Sequence, residues 1–109
     1  MNPREVIISE DAFSDLAAGK LFYDNREAGV GKYFIDSLIA DLESLRFYSG
    51  IHIICFDCHR MLSKRFPFAI YYSIDGERVS VMAVLDMRRN PTWLGKQIRK
   101  RTSSWVKAK

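Results

Sequence analysis

Two dense apolar runs, residues 66–74 and 79–85, dominate the hydropathy pattern, and Asp75-Gly76 divides them. The first is aromatic and β-branched, the second almost wholly apolar. Such runs predict strands, and a glycine between them accepts the positive φ of a tight antiparallel turn. Neither run alternates apolar with polar, so both faces of the hairpin are predicted to be covered. Upstream the spacing changes. Residues 4–8 read as a short strand, and Ser9 caps a helix whose first turn carries Glu10 and Asp11, where the helix dipole favours acids. That helix is predicted over about 10–27, with Phe13, Leu16, Ala17 and Leu21 facing inward and Tyr23 at the border. Gly19 inside it costs roughly 1 kcal/mol relative to Ala and marks a point of close packing. Ala28-Gly29-Val30-Gly31 predicts a turn between helices. A second helix over about 31–47 presents Phe34, Leu38, Asp41 or Leu42, and Leu45, with Ile35 and Ile39 widening the stripe. A short loop between two amphipathic helices predicts an antiparallel helical hairpin.

The remaining stretches are less regular. Ser49-Gly50 marks a break, and residues 51–56 read either as a strand or as a buried loop. Residues 58–64 lead into the central hairpin and are predicted to join its sheet. Beyond Pro91, the apolar residues Trp93, Leu94 and Ile98 predict a last helical turn. The fold class is α+β, in the order β-α-α-β-β-β, with a helical hairpin packed on a small, mostly antiparallel sheet. We expect one domain over residues 1–94 and a basic C-terminal extension over 95–109.

Composition adds a direction. The chain has 109 residues, 48% of them hydrophobic, which is enough for one modest core. Net charge is +4, but it is unevenly spread. Residues 1–50 carry 5 Lys or Arg against 9 Asp or Glu, whereas residues 95–109 carry 6 basic residues and no acid. A basic end points to an anionic partner, or to a solvated tail. No apolar run reaches transmembrane length, and acids stand near the N-terminus where a secretory signal has its apolar core. A cytoplasmic protein without membrane contact is the expectation.

Cys55-x-x-Cys58-His59 matches the c-type haem attachment pattern, with Met82 or Met87 as a second axial ligand. Adding His52 gives four soft zinc ligands, although adjacent Cys58 and His59 must turn back onto one ion. A Cys55–Cys58 redox pair is a further reading. The plainest is two half-buried thiols at a sheet edge, and we expect no metal and no cofactor. Arg88 and Arg89 suit a phosphate or carboxylate, or a salt bridge with Asp86. Trp93 and Trp105 suit base stacking, with Trp93 also a lid on the core. Lys96, Arg99, Lys100 and Arg101 suit phosphate contacts.

The residues that surround the hairpin resemble a known family. Arg65-Phe66-Pro67, Tyr71-Tyr72, Val84-Leu85, Arg88 and Pro91 occur in the order found in the RelE/ParE superfamily of type II toxin–antitoxin toxins. Asp15-Leu16, Phe22-Tyr23, Gly29-Val30-Gly31 and Phe34 match its helical part, so the resemblance covers about residues 4–94. Two features depart from it: Asp86 stands where the family has His, and the chain continues past the family's usual end at Gly95. The resemblance implies a growth-inhibiting toxin held inactive by a cognate antitoxin that folds across the helices and sheet. It implies one of two targets, DNA gyrase for ParE-like members or ribosome-bound mRNA for RelE-like ones. Cleaving RNA needs a base, an acid and cations for the phosphate. Here Arg60, Lys64, Arg88 and His59 are the candidates, Arg60 and Lys64 being spaced to share a strand face. Ala69 stands at the strand position that carries Arg in RelE, and no Tyr follows Tyr72, so the set is incomplete and the ParE-like branch is favoured. For binding, the candidates are Arg65, Arg88, Arg89, Trp93, Lys96 and Arg99.

Overall fold

The structure, a computed structural model, describes residues 2–107, with side chains through Thr102. The expectation for Trp105 lies outside the described side chains. The elements are β1 (Glu5–Ile8), α1 (Glu10–Arg26), α2 (Val30–Tyr48), β2 (Ile54–Cys55), β3 (Cys58–Leu62), β4 (Phe68–Asp75), β5 (Arg78–Asp86) and α3 (Pro91–Lys107). The five strands form one mixed sheet in the order β1-β5-β4-β3-β2. Only β1 and β5 run parallel; the other pairings are antiparallel.

The central hairpin forms as its apolar runs require. Its loop is Gly76-Glu77, because Asp75 and Arg78 already pair across it. Gly76 has φ 61° and Glu77 is not positive, the pattern of a type II′ turn, whose twist matches that of the strands. Arg4 braces this turn: its Nε donates to the Gly76 carbonyl at 3.1 Å and its Nη1 to the Ser49 hydroxyl at 2.9 Å. Both faces of the hairpin are covered. Ile70, Tyr72, Val79, Val81 and Val84 pack against α1 and α2, while Ala69, Tyr71, Met82, Ala83 and Leu85 pack against Leu94 and Ile98 of α3.

Helix α2 follows its predicted stripe. Phe34, Leu38, Asp41, Leu42 and Leu45 are all buried, whereas Ile39 is half exposed. Helix α1 is rotated from the expected face. Ala12, Leu16 and Gly19 are buried and Tyr23 packs on the same core, while Phe13 and Leu21 remain 63% and 62% exposed. Two apolar stripes overlap on this helix, and Gly19 decides between them. Its missing side chain admits the Phe34 ring, two of whose atoms lie 2.5 and 2.6 Å from where a Cβ would stand. Phe34 is itself wedged among Tyr23, Phe66 and Phe68, with ring centroids 4.9–5.2 Å apart, so it has nowhere to retreat. Gly19→Ala gains about 1 kcal/mol of helix propensity but overpacks a filled core at about 1–3 kcal/mol. The expected result is a net loss of stability, read as a lower urea midpoint with an unchanged slope.

Of the two readings for residues 51–56, the strand holds for Ile54–Cys55 and the buried loop does not: Ile51, Ile53 and Ile54 are 75%, 60% and 62% exposed. The two-residue β2 lies at the edge of the sheet. Two further expectations are corrected. Strand β3 ends at Leu62, so Lys64 does not share its face with Arg60; Ser63 and Lys64 instead turn over the buried Asp41 carboxylate, which accepts from the Ser63 hydroxyl at 2.6 Å. The segment after Pro91 is more than a helical turn. It is a 17-residue helix, because Leu94 and Ile98, four apart, find the uncovered sheet face.

Candidate functional site

The Arg-Arg-Asn-Pro stretch folds for local reasons. Asn90 is the N-cap of α3, its side-chain oxygen accepting from the Thr92 and Trp93 amides at 2.7 and 3.3 Å. Pro91 occupies the first helical position, where a missing N–H costs nothing. The cap fixes the two arginines between the end of β5 and the start of α3. Asp86 grips Arg88 with both oxygens, at 3.0 Å from Nε and 2.7 Å from Nη2, and also accepts from the Arg88 amide at 2.9 Å. The hydrogen bonds from Arg88 hold the Asp86 carboxyl below the usual carboxylate range, against the opposing effect of burial. Arg89 lies over the Trp93 ring with its guanidinium carbon 3.9 Å from the centroid. Trp93 is half-buried on the α3-side core.

These residues border an open cleft of about 370 Å³ whose other wall is α1. Gly19 and Phe22 come from α1, Phe68 from β4, Asp86 from β5, and Arg89 and Trp93 from the α3 entry. Asp15 closes one end. Its carboxylate accepts from the Val84 amide at 2.9 Å and from both terminal nitrogens of Arg101, at 2.6 and 2.9 Å. The pair is mostly buried, with 12% of Asp15 and 15% of Arg101 side-chain surface exposed. Strand β1 pairs with β5 only as far as Val81, so the Val84 amide has no strand neighbour on that side, and Asp15 supplies its acceptor. Arg101 therefore serves the fold, and the expectation that it contacts phosphate is replaced by this ion pair. Its guanidinium is driven further toward the charged form by the Asp15 hydrogen bonds. Neither role of Asp15 has a local sequence signal, since its partners lie 69 and 86 residues away.

The four candidate catalytic residues do not converge. His59 stacks on Tyr72, ring centroids 5.0 Å apart, on the α1/α2 side of the sheet. Its Nδ1 lies 3.0 Å from the His52 carbonyl. Arg60, next in the strand, lies on the other side beside its register partner Tyr71. Its Nε is buried without a hydrogen-bond partner among the described residues. Lys64 is exposed in the β3–β4 loop, and Arg88 is held by Asp86 beyond the end of β5. Of the binding candidates, Arg88, Arg89 and Trp93 stand together. Lys96 and Arg99 are exposed on α3, and Arg65 is exposed with its Nη1 3.2 Å from the Tyr33 hydroxyl. Among the described residues no three His, Cys, Asp or Glu side chains gather as a metal site, and no helix is long and apolar enough to cross a membrane.

Asp86 gives a pH dependence with a definite sign. Its carboxyl titrates lower in the folded chain than unfolded, so its stabilisation is complete above about pH 4 and fades as pH falls through the folded value. Arg88 is 62% exposed, so solvent screening limits the effect to about 1 kcal/mol or less. Asp86→Asn should therefore melt slightly below the parent near neutrality, and thermal melts should show that difference closing as pH falls below about 4.

No family model matches the chain, and no curated protein does. Among solved structures it is similar to a chain of "Chromosomal ParDE TA system from P. aeruginosa", with a TM-score of 0.67. The match covers 74% of this chain and 92% of that one at 12% identity. The likeness is one of fold. Two helices packed on a mixed sheet, the α+β arrangement that the hydropathy pattern predicts, are common to both.

Proposed function

We propose that the chain is the toxin of a type II toxin–antitoxin pair, acting in the cytoplasm and neutralised by a cognate antitoxin. The observation that carries this reading is the fold shared with the ParDE-system chain, over nearly all of that chain's length, together with the ordered motifs around the hairpin. The largely exposed apolar side chains of α1, Phe13 and Leu21, offer apolar area for an antitoxin segment to cover.

DNA gyrase is the proposed target. The dispersal of Arg60, His59, Lys64 and Arg88 supports a binding mode of action, since acid–base catalysis needs its groups within reach of one substrate. Arg88, Arg89, Trp93, Lys96 and Arg99 form the proposed contact surface, with Arg65 of the β3–β4 loop as a further proposed contact. The pure protein is expected to inhibit gyrase supercoiling of relaxed plasmid, and Arg88→Ala to weaken that inhibition. Unaffected supercoiling together with cleavage of mRNA on programmed ribosomes would replace this target with the RelE-like one.

A further inference from the structure

Cys55 and Cys58 are free in the structure, Cys55 half-buried and Cys58 buried. They face each other directly across the β2–β3 hairpin as register partners. Residues opposite each other in an antiparallel pair point to the same side of the sheet, with Cα atoms about 4.5–5.5 Å apart. Disulfides span Cα separations of about 4.4–6.8 Å, so the Cα spacing of this pair falls in the range a disulfide bridges. That side is the one α3 covers, where Cys58 packs with Tyr71, Leu94 and Ile98.

The turn that joins them is unusual. Phe56 and Asp57 both have positive φ, 55° and 65°, the conformation of a type I′ turn, which favours Asn-Gly or Asp-Gly. A phenylalanine there is strained. Its ring offsets this by packing with Tyr71 and lying against Gly95 of α3; the nearest ring carbon is 3.1 Å from where a Gly95 Cβ would stand. The fold therefore holds the two thiols opposed, against the local preference of the turn.

We propose that Cys55 and Cys58 form a reversible intramolecular redox pair whose oxidant is a low-molecular-weight disulfide. The Cys55 thiolate, the more accessible, attacks one sulfur of the oxidant, forming a mixed disulfide and releasing one thiolate. The Cys58 thiol then loses its proton to solvent and attacks the Cys55 sulfur, releasing the second thiolate. Two protein thiols are oxidised by two electrons, and one disulfide is reduced to two thiols. Burial pushes the Cys58 thiol up, which suits the resolving sulfur, not the first nucleophile. The bond would close a loop of only four residues, which removes little unfolded-chain entropy. It is thus a switch and no folding staple.

The test is equilibration of the native protein in oxidised and reduced glutathione buffers, followed by acid quench, alkylation and intact mass measurement. The expected product is a monomer lighter by two hydrogens that is recovered fully by reductant. Cys58→Ala should stop at a glutathione adduct on Cys55, and Cys55→Ser should stay largely unmodified. A wild-type protein that keeps a stable glutathione adduct, forms only disulfide-linked dimers or remains fully reduced would overturn the proposal. The wild-type masses decide the matter even if Cys58→Ala does not fold.

Discussion

Replacing Asp15 with Ala is expected to lower stability by about 3–5 kcal/mol, the usual result of removing one partner of a buried ion pair. The loss has two sources. Arg101, whose side chain is only 15% exposed, keeps its charge and loses both carboxylate hydrogen bonds. The Val84 amide loses the Asp15 acceptor, and an unsatisfied buried donor costs about 1–3 kcal/mol. Asp15→Asn keeps an oxygen for Val84 and should fall between Ala and the parent. A double variant, Asp15→Leu with Arg101→Met, should recover much of the loss, because apolar replacement of a whole buried pair is often neutral. Urea denaturation of the four proteins checks this ordering. If Asp15→Ala melted with the parent, the proposed linkage of α1, β5 and α3 through this carboxylate would be wrong.

Ile98→Ala is the second large effect. Ile98 has no exposed surface and stands in the middle of the α3-side core. Truncating such a side chain costs about 2–5 kcal/mol, through lost burial and the cavity left behind. Ile39→Ala is the control: Ile39 is 48% exposed on α2, and its truncation should stay within about 0.5 kcal/mol. A loss at Ile98 no larger than at Ile39 would mean that α3 does not seal the sheet in solution.

These two residues also mark what could and could not be read along the chain. The central hairpin was plain because its signals are local: two unbroken apolar runs and a glycine turn between them. Helix α2 was equally plain, since Phe34, Leu38, Leu42 and Leu45 form one unambiguous stripe. Helix α1 carries two stripes, and hydropathy favoured the larger side chains, Phe13 and Leu21. Packing chose the smaller ones, because Gly19 lets Phe34 come close. The length of α3 was hidden by its composition. Basic residues outnumber apolar ones after Gly95, and among the described side chains it is Leu94 and Ile98, with Trp93 beside them, that mark the docked face.

The candidate site divides in the same way. The grip of Asp86 on Arg88 spans only two residues, so the sequence alone suggests it. The Asn90 cap and Pro91 are likewise local. The separation of His59 from Arg60 follows from strand alternation, once β3 is known to include both. The junction of Asp15 with Arg101 depends on how two helices meet around one sheet edge, and no spacing along the chain encodes it. The strain at Phe56 is also invisible locally, since phenylalanine is a poor predictor of a left-handed turn.

The most direct measurement of the central claim is growth of a bacterial culture after induced expression of the chain, alone and with the product of the adjacent gene. The account predicts arrest, filamentation and a DNA-damage response when the chain is expressed alone, and normal growth when the partner is present. Arg88→Ala should weaken the arrest while the protein still folds. Unchanged growth at full soluble expression of the chain alone would contradict the assignment as a toxin.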